Sequence, residues 1–131
     1  MSASVTPFLM FTGAAEEAMT FYLSLFPDSE LIGIARHAAG GPGTEGSVMM
    51  ARFRIGGLTL MCNDSPPVHD FTFTPSTSLF VECGSEEEID RIVAALLDGG
   101  KALMPPGNYG FSRKFAWVND RFGVSWQLNL A

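Results

Sequence analysis

The residues with chemical capacity are few and scattered. Arg52 sits in the alternating run VMMARFRI (Val48 to Ile55), where its guanidinium can hold a carboxylate or phosphate through two parallel hydrogen bonds. A solvated arginine at a sheet edge or an interface is the plainer alternative. Gln127 lies in the stretch NDRFGVSWQLNL (Asn119 to Leu130). Its carboxamide donates and accepts hydrogen bonds but is a poor ligand for a hard or borderline cation. His37 opens a glycine-rich loop, and His69 stands beside Asp70. A His–Asp neighbour pair can orient an imidazole for acid–base work, but adjacent residues usually point apart, so a linker role is expected. Ser65, Ser76 and Ser78 lie near His69 only in sequence and carry no nucleophile motif. Cys62 and Cys83 imply no disulfide framework and read as small buried packing residues rather than reactive thiols.

One domain has to position these groups. The chain has 131 residues, 47% hydrophobic and 17% charged, a globular composition long enough to bury a core. Its formal charge of −6, with eight thinly spread basic residues, argues against a nucleic-acid binder that tracks phosphates and against an anionic membrane surface. The opening MSASVTPFLMF has no Lys or Arg before Arg36, and its apolar run is too short for a signal peptide or a membrane span. A cytoplasmic protein is the expectation.

The positioning elements are written twice. Phe8 to Glu17 and Leu79 to Glu88 are both short apolar strands that meet a glycine and then an acidic helix start. The second helix has capping-box spacing at Ser85 and Glu88 and an apolar stripe at Ile89, Ile92, Val93, Leu96 and Leu97, ended by Gly99-Gly100. The first has Ala18, Phe21, Tyr22 and Leu25 on its stripe, runs to about Phe26 and is closed by Pro27. After the first helix come Leu31 to Arg36, Val48 to Ile55, and Leu58 to Asn63, with Gly56-Gly57 as a two-residue hairpin signal. After the second come Ala102 to Met104, Arg113 to Asn119 and Val124 to Leu130. The expected fold is α+β: two tandem β-α-β-β-β modules forming a curved mixed sheet with helices outside and a concave ligand cleft. The modules span about residues 1–63 and about 78–131 of a single domain, joined by a linker at about 64–77.

Three stretches, PFLMFTGAAEEAMTFYLSLFPDSEL, GGLTLMCND and KFAWVNDRFGVSWQL, resemble the PhnB-like branch of the vicinal oxygen chelate superfamily. That superfamily includes glyoxalase I, extradiol dioxygenases and bleomycin- and fosfomycin-resistance proteins, and the branch is often labelled demethylubiquinone methyltransferase-like. The resemblance covers essentially the whole chain and implies the glyoxalase/bleomycin-resistance fold and a homodimer, which also suits the prevalence of twofold oligomers. It further implies that superfamily metal ligands would fall near Pro7, Met61, Ser78 and Gln127. Two of these lack a usable donor, and a hydroxyl and an amide are weak ones, so no metal is expected. The glycines at Gly40-Gly41-Pro42-Gly43 lie between two strands and precede no helix, unlike the loop of a conventional S-adenosylmethionine enzyme. No cofactor is expected.

Period-two alternation sorts the strands by face. Ala51, Phe53, Ile55, Leu58, Leu60 and Cys62 are expected to face the helices, and Arg52, Arg54, Thr59, Met61 and Asn63 the cleft. In the last hairpin Phe115, Trp117, Trp126 and Leu128 are expected beneath the helices, and Ala116, Val118, Ser125 and Gln127 facing inward. Phe71, Phe73, Tyr109 and Phe111 are assigned to the cleft mouth or to a subunit interface. Arg52, Met61, Ser78, Tyr109, Ser125 and Gln127 are therefore the candidate ligand-binding residues, with Arg52 and Gln127 orienting a small polar or anionic ligand. The leading functional expectation is metal-independent binding of a small organic molecule. The alternative is an enzyme of glyoxalase/dioxygenase or methyltransferase-like type acting on a small metabolite.

Overall fold

The structure, a computed structural model, describes residues 2–131; Met1, the first residue of the N-terminal stretch, lies outside them. Two compact units divide the chain, one reaching Thr72 and the other starting at Phe73. In the first unit the strands are β1 (Phe8–Phe11), β2 (Ser29–Arg36), β3 (Val48–Ile55) and β4 (Leu58–Asp64), with helix α1 (Ala15–Leu25) after β1. In the second they are β5 (Leu79–Glu82), β6 (Lys101–Gly107), β7 (Lys114–Asn119) and β8 (Ser125–Leu130), with α2 (Glu86–Leu97) after β5. Each unit holds a four-stranded mixed sheet, ordered β1-β4-β3-β2 and β5-β8-β7-β6. The first strand runs parallel to the last in both sheets, and the remaining pairs are antiparallel. These are the two expected β-α-β-β-β modules.

Local signals explain most of the elements. Gly56 and Gly57 have φ of 52° and 87°, the left-handed pair that a two-residue hairpin turn between β3 and β4 requires. Ser85 Oγ accepts from the Glu88 N–H at 3.1 Å, and Glu88 Oε1 returns to the Gly84 N–H at 2.9 Å. This is the reciprocal cap foreseen at α2, with the return bond displaced by one residue. On α2 the residues Ile89, Ile92, Val93 and Leu96 are buried, as the stripe requires. On α1 the buried residues are Ala15, Ala18, Met19, Tyr22 and Leu25, so Met19 takes the place expected for Phe21.

The start of α1 is built differently. Ala14 at its N-cap offers no side-chain hydrogen bond. Asp64 supplies the acceptor instead: its Oδ1 takes the N–H groups of Gly13 and Ala15 at 2.8 and 2.9 Å, and its Oδ2 takes that of Val48 at 3.0 Å. The carboxylate is buried at the end of β4, one residue beyond the expected limit of that strand. It also suits the positive end of the helix dipole.

In the first sheet the buried face carries Ala51, Phe53, Ile55, Leu60 and Cys62, as alternation indicates. Leu58 departs from it: the residue directly after the turn is 41% exposed. In the second sheet the face of β7 is reversed. Across the β7–β8 ladder Ala116 pairs with Leu128 and Val118 with Trp126, and all four side chains are buried on one face. Phe115 and Trp117 pair with Asn129 and Gln127 and therefore lie on the opposite face. The run FAWV has no polar tooth to mark its alternation, and a one-residue slip turns every side chain over.

Candidate functional site

Arg52 and Met61 share one face of the first sheet and Ser125 and Gln127 one face of the second, where Ser125 is buried; Tyr109 lies in the connection between β6 and β7. In the second unit Gln127 Nε2 donates to Ser78 Oγ at 2.8 Å, joining β8 to the residue just before β5. Gln127 is flanked across the sheet by Trp117 on β7 and Phe80 on β5. Trp117 donates its indole N–H to Ser125 Oγ at 2.8 Å, which uses the hydroxyl of that buried serine. The result is a polar pair, Ser78 and Gln127, held in place between aromatic side chains.

Those aromatics extend the surface. Phe115 is buried and acts as a hub: the ring centroids of Phe111, Tyr109 and Phe80 lie 5.0, 6.2 and 6.4 Å from its own. Phe111 and Tyr109 meet it edge-on, a favourable arrangement of ring quadrupoles. Phe111 is 62% and Phe80 53% exposed, so the outer rings face solvent while the hub fixes them. The Tyr109 hydroxyl donates to the Pro105 carbonyl, anchoring the loop between β6 and β7. Phe115 and Trp117 were missed as site residues because of the reversed face of β7. Their pairing with β8 was the information needed.

In the first unit Arg52 stands directly across the β3–β4 ladder from Met61, as expected, and donates from Nη2 to the thioether sulfur at 3.5 Å. Phe8 lies next to Met61 on β1, and its ring is 45% exposed. Both cysteines are buried. Burial pushes the Cys62 thiol up to about 11, with the charge of Asp64 adding to the effect. Burial and then Glu88 do the same to Cys83, also to about 11. His69 stacks on Phe71, with ring centroids 4.9 Å apart, and its partner is thus an aromatic ring rather than Asp70. The ring of His37 lies over Gly43, where an added Cβ would fall 2.5 Å from it.

The four positions implied for metal ligands can be tested on the donors they offer. Pro7 gives its carbonyl to the Met61 N–H, Met61 meets Arg52, and Ser78 meets Gln127. A thioether, a hydroxyl and a carboxamide, with no carboxylate or imidazole among them, do not fit a divalent cation. Among the described residues no three His, Cys, Asp or Glu side chains come together as a metal-holding group. No helix among them is long and apolar enough to cross a membrane.

Paired β-α-β-β-β units, each with its first strand parallel to its last, define a glyoxalase/bleomycin-resistance fold. At the level of fold alone, the fosfomycin resistance protein FosX from Listeria monocytogenes, in a structure with Mn(II), is similar, with a TM-score of 0.64 at 15% identity over 98% of this chain and 92% of that one. The family model described as 3-demethylubiquinone-9 3-methyltransferase matches residues 3–129, and the chain belongs to that PhnB-like family. The PhnB protein from Bacillus cereus is 54% identical, with a TM-score of 0.95 over 98% of this chain and all (100%) of that one. A protein from Pseudomonas aeruginosa is 28% identical, with a TM-score of 0.82 over 98% of each chain. No curated protein matches the chain.

Proposed function

We propose that this PhnB-like protein binds a small organic molecule on the open face of the second sheet, without a metal. The observation that carries the reading is the neutral Ser78–Gln127 pair set among fixed aromatic rings. A carboxamide whose Nε2 is engaged by Ser78 keeps its Oε1 for a donor on the ligand. Phe80, Phe111, Tyr109 and Trp117 offer flat apolar area around it, which suits a planar or aromatic body. A homodimer, on the ground of family resemblance and the prevalence of twofold oligomers, and a cytoplasmic location, on the ground of the N-terminal sequence, remain part of this reading.

The test combines a thermal-shift screen of small aromatic compounds with Trp117 fluorescence. A ligand of this face raises Tm with the logarithm of its concentration above Kd. Gln127→Ala is expected to weaken it roughly tenfold, the worth of one hydrogen bond of about 1.4 kcal/mol. One stoichiometric metal per chain in purified protein, or a ligand whose affinity ignores both Gln127→Ala and Trp117→Phe, overturns the proposal.

The family description favours a second reading, methyl transfer. Gly40 to Gly43 lie in the connection between β2 and β3 and precede no helix, so they supply no helix-start cradle for S-adenosylmethionine. Saturable binding of S-adenosylmethionine by calorimetry would replace the first reading with the second. A screening hit that is chemically converted would likewise favour an enzyme.

A further inference from the structure

Gly33 and Arg52 are direct partners across β2 and β3, so a side chain at position 33 would share the face of the sheet with Arg52, on the side away from Met61. Position 33 has none, and a Cβ added there meets nothing within 4 Å. The backbone does not demand glycine, because Gly33 is absent from the left-handed glycines. An interior glycine weakens a strand and marks a bulge or a place where something approaches closely. The neighbouring bulge falls between Leu31 and Gly33, while Gly33 itself is paired in register with Arg52. What the glycine provides is open space next to a cation.

That cation is unlike its counterparts. Arg36 is paired with Glu16, Arg54 with Asp28 at 2.8 Å, and Arg113 donates to the Ala131 carbonyl at 3.1 and 3.2 Å. Among the described residues no carboxylate pairs with Arg52, whose one acceptor is the weak sulfur of Met61. On its other flank the face continues through Met61 to the exposed ring of Phe8. A fork of N–H donors thus has space on one side and an apolar seat on the other.

We propose that this Arg52–Gly33 notch binds an organic carboxylate, the carboxylate taken bidentately by the guanidinium and an apolar body resting on Met61 and Phe8. A carboxylate matches two parallel guanidinium donors, and its organic body gains contact with Met61 and the exposed Phe8 that inorganic phosphate lacks. The proposal concerns residues of the first unit only, so it and the aromatic-face reading fail or survive independently.

The experiment is an NMR titration of the arginine Nε–H resonances with benzoate, acetate and inorganic phosphate in turn. Benzoate is expected to shift Arg52 saturably and leave Arg36, Arg54 and Arg113 in place, with acetate roughly tenfold weaker for lack of the ring. Arg52→Gln abolishes the saturable response. Gly33→Val, which fills the notch with a residue suited to a strand, weakens benzoate at least fivefold while its amide spectrum stays native-like. A linear Arg52 shift no larger than that of Arg113 overturns the proposal, as does unchanged benzoate affinity in Gly33→Val. Phosphate binding tighter than benzoate would also overturn it, by making the notch a site for inorganic anions.

Discussion

Replacing Asp64 by alanine tests the link between a distant carboxylate and the start of α1. The carboxylate accepts three backbone N–H groups, and two of the bonds, from Ala15 and Val48, are buried. Alanine leaves those two donors without acceptors, at about 1–3 kcal/mol each, and removes a helix-dipole contribution of about 0.3–1 kcal/mol. The expected loss is about 3–5 kcal/mol. With a urea slope of about 2 kcal/mol/M, the unfolding midpoint falls by about 1.5–2.5 M at unchanged slope. Asp64→Asn separates acceptor chemistry from volume. Its one oxygen keeps the bonds to Gly13 and Ala15, but its NH2 meets the Val48 N–H donor to donor, so a loss of about 2–3 kcal/mol is expected. A loss below about 1 kcal/mol in Asp64→Ala, or an asparagine variant no better than the alanine one, refutes the capping role.

Further outcomes follow from packing and titration. Trp126, buried with its indole N–H on Asp120 Oδ2 at 3.0 Å, is expected to cost about 2–4 kcal/mol as Trp126→Phe, measured by urea unfolding. Gly100→Ala forces a Cβ to 2.3 Å from the Asn119 oxygen and 2.4 Å from the Leu96 oxygen. That substitution is expected to lower stability by about 3 kcal/mol or more, read as a fall in Tm. The thiols of Cys62 and Cys83 ionise near 11 in the folded chain against an ordinary 9.0. A raised pKa means stability present below pH 9 is lost as pH climbs toward 11, because the unfolded thiols ionise first. At pH 8 neither thiol is expected to react with iodoacetamide until the chain unfolds; stoichiometric labelling of native protein within minutes would contradict this.

Much of this architecture was legible because its signals are local. The Ser85–Glu88 cap, the Gly56-Gly57 turn and the stripe of α2 each lie within a few residues of sequence. The face around Arg52 and Met61 was also readable, since β3 and β4 alternate over Ala51 to Ile55 and Thr59 to Cys62, with Leu58 beside the turn as the exception. Two features were not. FAWV gives four apolar-compatible residues in succession, and only hydrogen-bonded register with β8 decides that Trp117 belongs beside Gln127. Asp64 opened the stretch assigned to a linker, because the groups that give it a role, Gly13 and Ala15, are 51 and 49 residues away.

That separation bears on the order in which the chain folds. The start of α2 is fixed by Ser85 and Glu88, three residues apart, and can form as soon as that segment bends into a helix. The start of α1 waits until the last strand of its sheet has returned, a closure that costs about 2.5 kcal/mol more in chain entropy than a three-residue one. Two modules of the same design thus cap their helices across very different spans of chain. In the two arms of a chevron plot, Asp64→Ala is expected to act chiefly on the unfolding rate, and Ser85→Ala to slow folding.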